Sequence, residues 1–129
     1  IKHVSAFALS SHNLFRSKKA ISPIFKLLDS YLEEFLSNTS KYRYNIRFIG
    51  NFDIFNKETI SKLNMINNQN DHSKTLLIAL NYSGSEDIIT AANLFKNNKN
   101  KKMHFSDFLS TSQYPSPDLL IRTGGSDGI

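Results

Sequence analysis

Cysteine is absent from the 129 residues, which excludes disulfides and thiolate metal sites and fits a cytoplasmic protein. Long hydrophobic runs are absent as well: no stretch approaches the ~20 apolar residues of a bilayer span. Ile1 opens no signal-peptide pattern. There is no G-x-G-x-x-G, no Walker loop, no His/Asp metal cluster and no internal repeat. The four histidines, His3, His12, His72 and His104, have no metal-ligand spacing. With only five glycines and three prolines, each of these residues serves as a signpost for a turn or a helix end.

What is present suits a single globular domain. A 40% hydrophobic content is enough for a core. The net charge of +5 suits anionic partners: nucleic acid, acidic lipid or phosphorylated small molecules. Much of the excess lies in residues 96–102 (KNNKNKK), which reads as a solvated loop. No aromatic residues interleave with a recognisable nucleic-acid-binding motif, so no nucleic-acid partner is expected.

Residues 117–125 (PDLLIRTGG) hold the most informative pattern. Leu119, Leu120 and Ile121 form a short apolar run bounded by turn residues, which predicts a buried parallel strand. Arg122 would stand at its carboxyl end, where ligands bind in open α/β sheets. Its guanidinium is a fork of donors suited to phosphate oxygens, and Gly124 and Gly125 let the backbone approach an anion. An arginine closing a strand before an ordinary turn gives the same pattern.

Earlier in the chain, residues 2–9 (KHVSAFAL) predict a buried strand that breaks at Ser10, Ser11, His12 and Asn13. Ser22-Pro23 predicts a helix start. Ile24, Leu28, Tyr31 and Phe35 follow at helical spacing, flanked by Phe25, Leu32 and Leu36. Core packing accounts for so broad an apolar face; a hydrophobic channel along part of it does so too. Residues 44–49 (YNIRFI) predict the second strand, stopped by Gly50-Asn51. Asn56 predicts an N-cap, with Glu58 in the first turn, Ile60, Leu63 and Ile66 or Asn67 marking the helix face, and residues 67–73 a polar loop. Residues 75–80 (TLLIAL) predict the third strand, ending in Asn81-Tyr82-Ser83-Gly84. Ser85 is expected to cap the next helix and Ser106 a short one, before Pro115 and Pro117 introduce the last strand.

The order β-α-β-α-β-α-α-β predicts the α/β class: a parallel β-sheet with helices on both faces and right-handed crossovers. Ile1 begins directly in a strand pattern and Ile129 follows a glycine turn. The sheet is therefore expected to be truncated at both ends, with residues 1–129 forming one partial domain. Three loops, residues 10–16, 81–85 and 122–125, are expected to meet on one rim with arginine, asparagine, hydroxyl and glycine groups. A ligand with phosphate at one end and hydrocarbon at the other fits that rim and the apolar helix beside it.

These loops carry a family resemblance. Ser10-Ser11-His12-Asn13-Leu14-Phe15-Arg16 resembles F-S-[ST]-E-N-W-x-R, Asn81-Tyr82-Ser83-Gly84 resembles N-Y-[GS]-G, and residues 117–125 closely resemble P-D-L-[LV]-I-R-T-[GS]-G. These are motifs of the cis-prenyltransferases, in the family's order, and the chain is similar to the undecaprenyl (polyprenyl) diphosphate synthases. The similarity covers the whole chain and the middle half of the family's domain.

The resemblance implies repeated condensation of isopentenyl diphosphate onto an allylic diphosphate, usually farnesyl diphosphate. Mg²⁺ assists departure of the allylic diphosphate, and the growing hydrocarbon threads a tunnel between helices and sheet. It implies homodimers working at the cytoplasmic membrane face. Arg122 matches the arginine that holds the diphosphate of isopentenyl diphosphate, and Arg16 one that contacts the allylic diphosphate. Asn13 matches the residue assigned to proton removal. An amide is a poor base, so placing a water or phosphate oxygen is the physically better role. Ser10 and Ser11 match substrate-loop positions. His12 and Leu14 stand where the family has Glu and Trp, Ser85 where it has Arg, and Gly128 where a second phosphate-binding Arg is expected. The family's Asp-Gly-Asn-Gly-Arg-Trp loop and metal-binding Glu have no counterpart among these residues, so the Mg²⁺ ligands are expected outside them. The departures also fit a non-catalytic accessory subunit of the same superfamily.

Overall fold

The computed structural model describes residues 1–11, 18–69 and 72–123, and for 18–20 the backbone alone. Three strands form a parallel sheet: β1 (His3–Ser10), β2 (Asn45–Ile49) and β3 (Thr75–Tyr82), in the order β1-β3-β2. Alternation decides what each face carries. The register pairs Ile46 with Leu76 and Phe48 with Ile78, so Ile46, Phe48, Ile78 and Leu80 share one face.

Helix α1 (Lys18–Ser37) supplies the partner for that face. Its Leu32 joins Leu9, Ile46, Phe48, Phe55, Leu63, Ile66 and Leu80 in one buried cluster, with Phe25, Leu28 and Phe35 packed against it. Leu32 and Leu63 have no solvent exposure at all; a leucine buried to that extent stabilises by roughly 1.5–3 kcal/mol. Helix α2 (Lys57–Asn67) starts where Asn56 accepts a hydrogen bond from the Thr59 N–H, as its N-cap pattern predicts. It packs on α1, where the Thr59 hydroxyl donates to Asp29 at 2.6 Å. Its last residue, Asn67, lies on the outer edge of β2. The Asn67 side chain accepts from the Phe48 N–H (2.7 Å) and donates to the Phe48 carbonyl (3.0 Å), taking the place of a neighbouring strand. The opposite face carries Leu77 and Ala79, both buried outside the first cluster. Helix α3 (Gly84–Asn97) follows β3 directly, and a ring contact of 6.2 Å between His3 and Tyr114 brings the segment after α3 to this side.

Several expectations need correction. Strand β1 is not buried: only Leu9 is buried and Ser10 half-buried, and its first six residues are exposed, whereas β2, likewise at an end of the sheet order, is covered by the apolar cluster. Leu119, Leu120 and Ile121 form no strand and are 76–86% exposed. A strand exists through the bonds a neighbour provides, and none of the three strands pairs with this run. Helix α1 is already helical at Lys18, which leaves Pro23 inside it rather than at its start; the ring removes one N–H from the helix. Ser83, not Ser85, takes the N-cap position of α3, without a side-chain bond to the helix. The short helix near Ser106 is a 3₁₀ turn over Phe105–Phe108, capped by His104 and Asp107.

Candidate functional site

The carboxyl ends of β2 and β3 each turn sharply, and the turns interlock. Gly50, just past β2, has φ 126°, a conformation open to glycine alone. Asn81, near the end of β3, has φ 47°, which Asn tolerates better than other side-chain-bearing residues. The Asn81 amide donates to the Asn51 carbonyl (2.9 Å), and the Asn51 N–H donates to the Asn81 carbonyl (3.2 Å). The Asn51 side chain in turn accepts from the Asp53 N–H.

Beyond these turns lies a cleft of about 640 Å³, whose walls include Asn51, Asp53, Asn81, Tyr82, Ser83 and Asp87. Asp87, in the first turn of α3, ties two walls together. It accepts from the Tyr82 hydroxyl (3.0 Å), the Ser110 N–H (3.0 Å) and the Ser110 hydroxyl (2.8 Å). Burial, reinforced by the bond to Asp87, holds the Tyr82 phenol above its ordinary pKa.

The predicted site residues fall into three groups. Ser10 and Ser11 stand at the end of β1, beside β3: Ser10 is in register with Tyr82, and Ser11 is buried. Ser10 and Ser11, the described residues of the first expected loop, therefore share the carboxyl edge of the sheet with the second. Arg122 is exposed, on a stretch that pairs with none of the three strands. His12, Asn13, Leu14 and Arg16, with Gly124, Gly125 and Gly128, lie outside the described residues. No lysine or arginine whose side chain is described lines the cleft, and Asp53, Glu86 and Asp87 do. Among the described residues no group of three or more His, Asp or Glu could hold a metal ion. The sequence reading missed Asn51, Asp87 and Ser110. Only Gly50 at a strand end hinted at the interlock; the two bonds from Ser110 to Asp87 span 23 residues and leave no local pattern.

Comparison with known proteins agrees with the motifs. The family described as "Putative undecaprenyl diphosphate synthase" matches residues 1–129. An isoprenyl transferase of Aquifex pyrophilus is 34% identical over 134 residues, covering 100% of this chain and 58% of the relative. The ditrans,polycis-undecaprenyl-diphosphate synthase, (2E,6E)-farnesyl-diphosphate specific, of Micrococcus luteus is 28% identical, covering 100% of this chain and 56% of the relative. Among solved structures, a probable undecaprenyl diphosphate synthase from Campylobacter jejuni matches with a TM-score of 0.70 at 28% identity, over 85% of this chain and 55% of that one. Lavandulyl diphosphate synthase from Lavandula x intermedia, solved with dimethylallyl diphosphate, shares the fold with a TM-score of 0.84 at 23% identity, over 99% of this chain and 61% of that one. The chain thus spans little more than half the length of the curated relatives it matches. With the family pattern running the full 129 residues, the chain belongs to the undecaprenyl diphosphate synthase family of cis-prenyltransferases.

Proposed function

We propose that this chain is the central part of a cis-prenyltransferase. The enzyme condenses isopentenyl diphosphate onto an allylic diphosphate, farnesyl diphosphate, and makes a long-chain polyprenyl diphosphate lipid carrier. The observation that carries the reading is the family match across all 129 residues. Two features support it. The loop Asn81-Tyr82-Ser83-Gly84 borders a cleft at the carboxyl edge of a parallel sheet, the usual place for a ligand. On α1, Ile24, Leu27 and Tyr31 are 40–60% exposed at spacings of three and four, an apolar stripe that suits a hydrocarbon chain.

In this reading Arg122 binds the diphosphate of isopentenyl diphosphate and Arg16 that of the allylic substrate. Asn13 places the group that takes up the proton, and Ser10, Ser11, His12 and Leu14 form the rest of the substrate loop. The described residues do not fit Mg²⁺, so the ion's ligands belong to other parts of the family domain and no step is assigned to it here. Homodimer formation and peripheral contact with a membrane are parts of the same proposal. The substitutions at His12, Leu14, Ser85 and Gly128 favour a second reading, a non-catalytic accessory subunit.

Steady-state kinetics of the polypeptide that carries this chain test the assignment. Arg122→Ala should lower kcat/KM for isopentenyl diphosphate about ten- to hundred-fold, mainly through KM, as loss of a charge-assisted contact does. Arg122→Lys should recover part of it, since the fork is lost. Arg16→Ala should weaken use of the allylic substrate, and Asn13→Ala should lower kcat more than it changes KM. Unchanged kinetics in all three alanine variants would sink the site. Turnover seen only after mixing with a second, catalytic chain would establish the accessory reading.

A further inference from the structure

The interlock between the ends of β2 and β3 is built from two backbone conformations that ordinary residues avoid. Asn81 has φ 47° and is 6% exposed. Gly50, opposite it, has φ 126°, and a Cβ at that position would lie 1.8 Å from the Leu80 carbonyl oxygen. Outliers of this kind persist where the surroundings over-determine them, and they gather at sites where geometry matters. Here the determining contacts are visible. The Asn81 side-chain amide donates to the Asn51 carbonyl (2.9 Å), and the Asn51 N–H returns a bond to the Asn81 carbonyl (3.2 Å).

The bonds join two turns that both line the cleft of about 640 Å³. Asn51 leads on to Asp53, and Asn81 to Tyr82 and Ser83, all of which line it as well. Gly50, Asn51 and Asn81 are not themselves part of the apolar cluster, although Leu80 in it and Phe52 packed against it flank them in the chain.

We propose that Asn81 is a positioning residue of the prenyl-transfer site, locking the carboxyl ends of β2 and β3 together and so fixing the part of the cleft that these ends line. The proposal rests on the functional reading above and adds to it a residue that binds neither substrate. Asparagine meets both demands of the position. It tolerates the left-handed backbone, and its amide supplies the N–H donor that an aspartate of the same shape lacks. Glycine would keep the backbone and lose the clamp.

The test compares Asn81→Asp and Asn81→Gly with wild type in the polypeptide that carries this chain, by backbone hydrogen exchange and by prenyl-transfer kinetics. Both variants should exchange the amides of residues 50–53 at least about ten-fold faster, with Ile46 and Phe48 unchanged. A shift of about 1 Å in a positioned group costs on the order of 100-fold, so kcat should fall by between about ten- and a hundred-fold, more than KM rises. Asn81→Gly should fall less than Asn81→Asp, because it introduces no oxygen opposite the Asn51 carbonyl. Unchanged exchange at residues 50–53 overturns the lock. Acceleration throughout the sheet overturns the positioning role in favour of general stability, and so does local acceleration with wild-type kcat. A wild type without prenyl transfer defeats the functional reading instead, and the lock then stands or falls on the exchange rates alone.

Discussion

At Gly50 a single hydrogen does what no side chain can. The Leu80 carbonyl that a Cβ would meet is backbone and cannot swing away, and φ 126° is unfavourable for any L residue. Gly50→Ala should therefore destabilise by about 3 kcal/mol or more, seen as a lower urea midpoint at unchanged slope. Wild-type stability in that variant would show that β3 does not approach so closely. Tyr82 gives a second prediction. Its folded pKa is raised, by burial first and by Asp87 next. The stability that the neutral phenol contributes is whole below the ordinary tyrosine value of about 10 and is lost as pH rises through the higher folded value. Asp87→Asn should lower the pH at which Tyr82 ionises, read by ultraviolet titration against Tyr82→Phe. An identical titration would mean that Asp87 does not hold the phenol. Neither residue was legible in the sequence as a partner: Gly50 read only as a strand stop, and Asp87 only as a helix first-turn acid.

Among the elements, what was readable depended on how local the determinant is. Helix α2 was legible from Asn56, Glu58 and the spacing of Ile60, Leu63 and Ile66, all within a few turns of one another. Strands β2 and β3 were legible as the runs of residues 44–49 and 75–80, each closed by turn residues. The exposure of β1 was not, since it depends on which elements pack beside and over the strand and not on its own residues. The run Leu119-Leu120-Ile121 was misread for the same reason. Asn67 read as the start of a polar loop, yet it completes the edge of β2. Asn67→Ala leaves the Phe48 N–H and carbonyl without those bonds and should cost about 1–3 kcal/mol, with faster exchange at the Phe48 amide. Wild-type exchange there would show that solvent or another group takes over the edge.

The molecule as a whole pairs a parallel α/β fold with lysines and arginines that, among the described side chains, lie apart from its cleft. The lysines of residues 96–102 are exposed at the end of α3 and beyond, as a solvated loop should be, and none lines the cleft. The diphosphate-binding charges of the proposal, Arg16 and Arg122, come from outside the described core and from an exposed stretch. Any binding of inorganic diphosphate by the 129 residues alone should be weak and fall steeply with salt, because exposed charges are screened within about 8–10 Å at moderate ionic strength. The 129-residue chain alone should make no prenyl product, since ionising an allylic diphosphate needs preorganised positive charge around the departing oxygens. The most direct measurement of the central claim is product extraction after incubating the polypeptide that carries this chain with farnesyl diphosphate, labelled isopentenyl diphosphate and Mg²⁺. The account predicts label in a long-chain polyprenyl diphosphate, lost in Arg122→Ala at low isopentenyl diphosphate and regained in part when that substrate is raised. Absence of labelled lipid, alone and with any partner chain, would contradict it.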